Sequence, residues 1–480
     1  MSLQTKTVKG IGWSAISQVL AQGIQFVVKL VLARVLVPEH FGIIGMALIF
    51  TAFIQTINEL GLSISIIQRK DIEERHLSTS FWTNIFVGII ICFIAIIASP
   101  FVADFFKEEG LQPVIRILSI GFILGSFGIV HRAILTKNID FKNVAIAEAG
   151  AVLSSGIISI FLALLGFGVW SLVIGSLMGD FGRSVLLWMR CPWRPSKTFD
   201  RTSFSELFVF GKNVLGSRII NYITFNADYF LIAKFLDATS LGLYTFAYQM
   251  AVFPLSQISS VITRVTFPVF STIQEDNTRI RMGYLKAIKY TSLITFPLLT
   301  GLAIVAPLLI PTLIGEKWMP MVLPLQILCV AGIIYSITTH VGSIILSKGR
   351  SDIHIRWDAS KAVILPLAAL IGVQHGIIGV ATATTLVAGI LFLIIQKITN
   401  RLIDLRFYEF FKALYPAAVS STILVIAVLA FQQLSTILSL QDIFSLAGSI
   451  LIGAVFYFLT VRIIDRNIFK EIKQLLNQLT

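Results

Sequence analysis

The sequence has few charged side chains for its length. Asp, Glu, Lys and Arg together make up 13% of the 480 residues, whereas they supply about a quarter of a soluble domain. Cysteine is also scarce, and the three thiols, Cys92, Cys191 and Cys329, lie far apart with neither a metal-binding spacing nor a pairing pattern. This composition excludes a cytosolic enzyme, a disordered scaffold and a secreted disulfide-rich protein.

Catalytic motifs are missing as well. The sequence contains no P-loop, no pair of carboxylates within one loop, and no Ser or Cys nucleophile with a base nearby. Its six histidines show no spacing typical of metal ligands. We therefore predict a protein that is not an enzyme, that holds no metal or organic cofactor, and that does not use ATP directly.

What the sequence does contain is long apolar runs. Apolar residues make up 56% of the chain and the mean hydropathy is +0.86. The runs are close to the roughly 20 residues that cross a bilayer as a helix. They lie near residues 11–33, 41–64, 80–103, 113–135, 144–165, 168–188, 208–233, 241–268, 287–313, 321–346, 358–374, 376–396, 413–432 and 443–463. The predicted fold class is an all-α polytopic membrane protein with about 14 transmembrane helices.

Basic residues follow one side of this predicted topology. Alternate connections hold 29 of the 38 Lys and Arg residues, the opposite connections hold five, and four fall inside spans. Positively charged loops stay on the cytoplasmic side of a membrane. The sequence therefore predicts that both termini are cytoplasmic, and the regular alternation supports an even number of spans.

The chain also repeats itself at a spacing of 200–211 residues. The matched segments, each at the same place in its half, are 32–42 with 232–242, Pro113 with Pro324, 134–137 with 345–348, and 168–170 with 376–378. Six spans separate matched helices, so both halves have the same orientation. Parallel two-lobed repeats are a recurring plan of transporters, and we favour transport over the alternative of a duplicated bundle with another role.

The repeat predicts the domain organisation. Two parallel-repeat six-helix lobes surround a central cavity, followed by two C-terminal helices. The predicted boundaries are an N-lobe at 1–190, a cytoplasmic inter-lobe linker at 191–207, a C-lobe at 208–400, and C-terminal helices with a short tail at 401–480. The linker carries Pro192 to Pro195, which we interpret as an interfacial joint rather than a site.

Polar side chains form a stripe on the first predicted helix and another on the matched seventh. The first stripe is Ser14, Gln18, Gln22, Gln25 and Lys29, and the second is Ser217, Asn221, Thr224 and Asp228, with Arg218 beside it. Spacings of three and four residues place each set on one helix face. A central Lys or Asp costs about 2.5–3.5 kcal/mol on insertion scales, which predicts that both stripes face a water-filled cavity. A structural Lys29–Asp228 ion pair is the alternative, and the two interpretations are compatible.

These stripes supply most of the candidate site. The candidate substrate-binding residues are Gln18, Gln22, Gln25, Lys29, Arg218, Asn221, Thr224 and Arg264. The candidate ion-coupling carboxylates are Asp228 and Glu59, although an interfacial position explains Glu59 equally well.

Three further charges lie within predicted spans. Arg183 follows Asp180 by three residues, a spacing that predicts a local ion pair on one helix, and we assign Arg183 no functional role. Glu148 lies just inside the fifth predicted helix, where an interfacial position explains it.

Four segments resemble a known family. They are LARVLVPEHFG at 32–42, LTKNIDFKNVAIAE at 135–148, GFGVWSL at 166–172 and DYFLIAKFLDATSLGLYTFA at 228–247. Together they resemble the polysaccharide transporter family of bacterial lipid-linked oligosaccharide flippases, of the O-antigen, colanic-acid and teichuronic-acid exporter type. This family belongs to the multidrug/oligosaccharidyl-lipid/polysaccharide superfamily. The resemblance runs from about residue 5 to residue 400 and does not specify the sugar.

The resemblance implies a flippase of the bacterial cytoplasmic (inner) membrane. It would move an undecaprenyl-pyrophosphate-linked oligosaccharide to the outer leaflet by alternating access, in surface polysaccharide biosynthesis beside a polymerase and assembly proteins. Coupling to H+ or Na+ through Asp228, or else Glu59, is a further expectation. The alternatives are a drug/cation antiporter of the same superfamily and a membrane-embedded polysaccharide polymerase, although the short predicted external loops disfavour the latter.

Overall fold

The computed structural model of the protein covers residues 21–58, 62–69 and 71–466, without the side chains at 57, 58, 209–221, 253, 254, 256–269 and 271. The covered residues form helices and no β-strand. The helices are α1 (21–35), α2 (Pro38–Asn58), α3 (Leu62–Gln68), α4 (Glu74–Phe106), α5 (Leu111–Leu118), α6 (Ile120–Lys137), α7 (Phe141–Leu164), α8 (Val169–Arg190), α9 (Arg201–Phe235), α10 (Ala238–Thr272), α11 (Asn277–Leu309), α12 (Val322–Ser347), α13 (Ser351–Gly372), α14 (Gly376–Leu402), α15 (Phe407–Ile437) and α16 (Asp442–Ile464).

Helices occupy every predicted span wherever the structure describes it. Ten stretches of the described residues are long and apolar enough to cross a membrane. One of them, Ser351–Leu402, contains both α13 and α14, which meet at Gly376 with a φ of +68°. The all-α membrane-spanning fold class is confirmed, while the total of fourteen spans stays a prediction.

Aspartates begin four of the long helices. Backbone N–H groups in the first turns of α7, α9, α10 and α11 donate hydrogen bonds to Asp140, Asp200, Asp237 and Asp276. Such a cap satisfies donors that have no partner inside the helix. Because Asp200 is the cap of α9, residues 201–207 of the predicted linker are helical.

The chain divides into two compact units, Met1–Gly242 and Leu243–Thr480, so α9 lies in the first unit. In that unit α7 and α8 approach closely through small residues. The residues in contact are Gly175, Gly179 and Gly182 on α8 and Ser154, Ser155 and Ser159 on α7. In the second unit, α11, α12, α14 and α15 pack around an apolar cluster that includes Tyr284 and Phe410. The lobe boundaries that the sequence repeat predicts stay a prediction.

Two lysines that match in the repeat have the same structural role. Lys137, the last residue of α6, donates to the backbone carbonyl oxygens of Ile66 and Arg69 at the C-terminal end of α3. Lys348, directly after α12, donates to the carbonyl oxygen of Gln274, just beyond α10. A cation at a helix C-terminus satisfies carbonyl groups that lack intrahelical donors. The shared role supports the internal duplication.

A reciprocal contact between the first turns of α2 and α10 supports it further. A side chain added at Gly42 would overlap the backbone of Ala238, and one added at Gly242 would overlap the backbone of Pro38. Both pairs, Gly42 with Gly242 and Pro38 with Ala238, are 200 residues apart. The matched helix starts are therefore in reciprocal backbone contact, and all four residues belong to the first unit.

The linker between α8 and α9 is fixed to the start of α4. The indole N–H of Trp193 donates to the carboxylate of Glu74, at 2.9 Å from Oε2. The indole N–H of Trp82 donates to the carbonyl oxygen of Ser196 at 2.8 Å. The two contacts join linker and helix at two points, which agrees with the interpretation of this segment as a joint.

Glu206 in the first turns of α9 completes this attachment. Its Oε2 lies 3.3 Å from Nε2 of the buried His76 and 2.5 Å from Nη1 of Arg69. The hydrogen bonds from His76 and Arg69 hold the pKa of the Glu206 carboxyl below its usual range. The stabilisation from this carboxylate is therefore present at neutral pH and is lost as the pH falls through the lowered pKa.

We predict that Gly42→Ala lowers the stability of the purified protein, because the added methyl group has no space against the backbone of Ala238. Overpacking typically costs about 1–3 kcal/mol. Gly301→Ala, in α11, is the matched control, since an added methyl group there meets nothing within 4 Å. The helix propensity of Ala predicts a gain of up to about 1 kcal/mol for the control. Thermal unfolding in detergent measures both, and equal midpoints for the two variants would contradict the close contact.

Candidate functional site

The polar stripe of the first helix is helical where the structure describes it. Residues 21–35 form α1, so Gln22, Gln25 and Lys29 lie three and four residues apart on one face. Gln25 is exposed, whereas Gln22 and Lys29 are half-buried. The Oε1 atom of Gln22 is buried and accepts no hydrogen bond from the described residues. A buried amide oxygen of this kind needs a water or a ligand donor.

The apolar face of α1 packs within the first unit. Val28 lies against Gly156 of α7, whose missing side chain leaves room for it. Leu32 and Leu36 pack with Ala163 of α7 and Leu172 of α8. This packing holds α1 by its apolar face and leaves Gln25 uncovered.

The second stripe lies on α9. Thr224 and Asp228 are one turn apart and half-buried, and Oδ1 of Asp228 accepts the backbone N–H of Tyr229 at 2.9 Å. Two anchors hold α9 in the first unit. The hydroxyl of Tyr222 donates to the carbonyl oxygen of Ile49 on α2, and Nζ of Lys234 donates to the carbonyl oxygen of Phe105 on α4.

The remaining candidate residues lie outside the described part of the protein. Gln18 and Glu59 are not among the described residues, and the side chains of Arg218, Asn221 and Arg264 are not described. The predicted roles of these residues, and those of Gln22, Gln25, Lys29, Thr224 and Asp228, stay predictions.

The structure brings together four charges, of which the sequence indicated one pair. We call Arg132, Glu148, Arg183 and Asp180 the charge ladder. Nη1 of Arg183 lies 2.7 Å from Oδ1 of Asp180, which confirms the predicted local pair on α8. Nε of Arg183 also lies 3.1 Å from Oε2 of Glu148 on α7, and Nη2 of Arg132 on α6 lies 3.4 Å from Oε1 of Glu148. Glu148 is therefore paired with two arginines, and its interpretation as a simple interfacial acid is incomplete.

The ladder reaches from a helix end to the middle of a span. Arg132 is close to the end of α6 at Lys137, whereas Asp180 is near the middle of α8, which ends at Arg190. At 1.5 Å per residue, Asp180 lies about 15 Å from that end, or half of a hydrocarbon core of about 30 Å. The side chains of Arg183 and Asp180 stay 36% and 32% exposed. Partly exposed charges at this depth are typical of helix faces that line a polar cavity.

This arrangement defines the class of protein. A duplicated bundle of membrane-spanning helices, with polar stripes and a charge ladder inside the spans, is typical of a transporter. Its fold is similar to that of the lipid II flippase MurJ in the inward closed conformation. The TM-score is 0.75 at 16% identity, and the match covers 95% of this chain and 99% of that one. At this identity the likeness shows the fold.

Sequence comparison shows the family. The family described as polysaccharide biosynthesis protein matches residues 31–323. The chain is 34% identical to the lipopolysaccharide biosynthesis protein WzxC of Escherichia coli, over 81% of this chain and 79% of WzxC. It is 31% identical to the teichuronic acid biosynthesis protein TuaB of Bacillus subtilis, over 96% of both chains. The protein belongs to this family of polysaccharide biosynthesis membrane proteins, and the resemblance found in the sequence is confirmed.

Cysteine labelling tests which face of α1 contacts water. We predict that Gln25→Cys reacts with a membrane-impermeant maleimide several-fold faster than Val28→Cys, because Gln25 is exposed and Val28 is packed against Gly156. The three native cysteines are buried, which keeps the background low. Equal labelling rates at the two positions would show that the stripe is not on the wetted face.

Proposed function

We propose that this protein is a flippase that moves a polyprenyl-pyrophosphate-linked oligosaccharide across the bacterial cytoplasmic membrane by alternating access. The observation that carries the proposal is the combination of a MurJ-like fold with family membership along the chain. The relatives are named for lipopolysaccharide and teichuronic acid biosynthesis. A lipid-linked oligosaccharide is the substrate class that both observations support.

The physics of this substrate explains the polar groups inside the spans. A sugar and a pyrophosphate cannot cross hydrocarbon, because each unsatisfied polar group costs several kcal/mol there. The polyprenyl tail has no such cost and stays in the lipid. The amides of Gln22 and Gln25 suit sugar hydroxyl groups, and the ammonium of Lys29 suits the anionic phosphates. The passage therefore needs polar helix faces of the kind that α1 presents.

The proposal includes the location and the partners of the protein. The excess of Lys and Arg in alternate connections supports cytoplasmic termini in the inner membrane. We expect translocation without covalent chemistry, so the protein would not be an enzyme and would hand its cargo to a polysaccharide polymerase and assembly proteins. The gradient that drives it would be H+ or Na+, with Asp228 or Glu59 as the coupling carboxylate.

A deletion strain tests the function itself. We predict that loss of the protein makes complete lipid-linked repeat units accumulate on the inner leaflet, because synthesis continues and export stops. Unpolymerised repeat units on the outer leaflet would indicate a polymerase instead, and intact surface polysaccharide with new drug sensitivity would indicate an antiporter. Sidedness is measured by enzymatic labelling of the sugar in right-side-out and inverted vesicles.

Lys29→Ala tests the cavity face of α1 in the same strain. We predict reduced export at unchanged expression, because the variant removes a cation from the proposed path of the pyrophosphate. Lys286→Ala is the matched control, since Lys286 is exposed near the beginning of α11 and has no proposed role. Equal export by the two variants would contradict a role for Lys29 in the passage.

Asp228→Asn tests the coupling assignment. We predict that flipping in proteoliposomes becomes slower and loses its dependence on the imposed H+ or Na+ gradient. The reason is that an amide side chain neither takes up a proton as a carboxylate does nor carries the negative charge that attracts a cation. Full rate with retained gradient dependence would remove Asp228 as the coupling carboxylate.

A further inference from the structure

We propose that the charge ladder binds the phosphate groups of the transported lipid and that a proton on Asp180 is taken up together with them. The inference rests on the proposed function for the identity of the ligand. It concerns residues outside both polar stripes and is carried by the contacts of Arg132, Glu148, Arg183 and Asp180.

Asp180 is not needed to hold helices together through these ion pairs. Arg183 and Glu148 join α8 to α7, and Arg132 and Glu148 join α6 to α7. The Asp180–Arg183 pair, in contrast, lies within α8 alone. The helix-to-helix pairs are formed without Asp180, but their charge is then not balanced. The position of Asp180 is therefore explained by charge rather than by a link between helices.

The explanation is the charge of the network. Arg132, Glu148 and Arg183 together carry one net positive charge, and ionised Asp180 makes the ladder neutral. A proton on Asp180 restores the positive charge and removes the anion that competes for the guanidinium of Arg183. Arg183 then has N–H groups to donate to another anion. The planar fork of a guanidinium matches phosphate oxygens in two parallel hydrogen bonds.

Open space lies on α6, one turn beyond its contact with Asp180. At that contact, a methyl group added to Gly121 would come within 3.1 Å of Oδ2 of Asp180 and 3.4 Å of the side chain of Leu177, so the packing there is tight. Gly125, one turn further along α6, would meet nothing within 4 Å. α6 thus packs tightly against Asp180 at Gly121 and leaves open space one turn further along, at Gly125, and this open space is where the phosphate group would enter the ladder.

The other ionisable groups near α8 belong to the elements packed against it. They are Lys29 and Arg34 on α1, Glu39 and His40 on α2, Arg116 on α5, His131 and Lys137 on α6, Lys142 on α7, Arg190 on α8 itself, and Arg194 just after α8, whose guanidinium lies over the ring of Trp188. Three of them have established contacts elsewhere. Arg116 donates to Ser99, His131 stacks on Trp188, and Lys137 caps α3. Among the described residues, the ionisable groups in contact with Asp180 and Arg183 are those of the ladder, and Asp180 is the carboxylate whose protonation sets its charge.

Linkage makes this proposal quantitative. If the phosphates and the proton bind together, each must strengthen the binding of the other by the same factor. For one linked proton, the affinity for the phosphate ligand rises by at most about tenfold for each unit by which the pH falls. A site formed by permanently charged groups alone would show no such slope.

Binding to the full-length protein in lipid nanodiscs measures how steeply the affinity for the phosphate ligand depends on pH. The probe is a short-chain polyprenyl-diphosphate-linked sugar, a pyrophosphate diester whose own charge is constant over the range used. Wild type is expected to bind it more tightly as the pH falls from about 8 to about 5, with proton uptake detected by calorimetry in two buffers of different ionisation enthalpy.

Variants test whether Asp180 causes the pH dependence of probe binding. Asp180→Asn should bind the probe equally well at both pH values, with an affinity close to that of wild type at low pH, because the amide resembles a protonated carboxyl group. Asp180→Glu, which keeps a titratable group, should retain the slope. Asp104→Asn, an exposed carboxylate near the end of α4, is the matched control and should behave as wild type.

The outcomes separate this inference from the proposed function. A flat pH profile in wild type, no binding of the probe, or an unchanged slope in Asp180→Asn would overturn the inference even if flipping in vesicles is intact. A slope that Asp180→Asn removes would support the ladder as the site, whether or not vesicle assays detect flipping. If Asp180→Asn does not fold, the absence of proton uptake by wild type on probe binding would overturn the proposal by itself.

Discussion

The structure depends on one constraint: hydrocarbon offers no hydrogen bonds to a polar group. Every backbone amide in a span must be satisfied inside its own helix, which is why the described residues form helices throughout. The same constraint applies to side chains, so a charge within a span needs a partner, a route to the interface or a wet cavity. The charge ladder and the polar face of α1 are two responses to it.

Duplication provides a second level of organisation. Lys137 and Lys348 have the same role in the two halves. Each donates from Nζ to a backbone carbonyl oxygen at or just beyond the end of an earlier helix. Gly42 and Gly242 bring the first turns of α2 and α10 into backbone contact. The repeat therefore determines both where the carbonyl groups at helix ends receive hydrogen bonds and where the matched helices approach closely. The charge ladder belongs to the first unit, which makes the two halves chemically different although their architecture is repeated.

Sequence patterns predicted the helices better than their ends. Wherever the structure describes an apolar run, the run is helical, because the length of a run follows the thickness of the bilayer. The start of α9 was predicted at 208, whereas α9 begins seven residues earlier at Arg201, where Asp200 caps it by accepting from the backbone N–H groups of Thr202 and Ser203. The pair of Asp180 and Arg183 was readable because both lie on one helix at a spacing of three. Glu148 and Arg132 were not assigned to it, since their helices are separate in sequence, although each was visible as a charge at the edge of an apolar run.

The sequence by itself determined the membrane class, the helical architecture, the duplication and the family, because these follow from composition, run length and residue order. Only the tertiary structure decided which charges meet. Contacts between helices depend on how each helix is rotated about its axis and on where small residues such as Gly121 and Gly156 allow close approach. Those quantities arise from packing among several helices, and no local pattern along one of them contains that information.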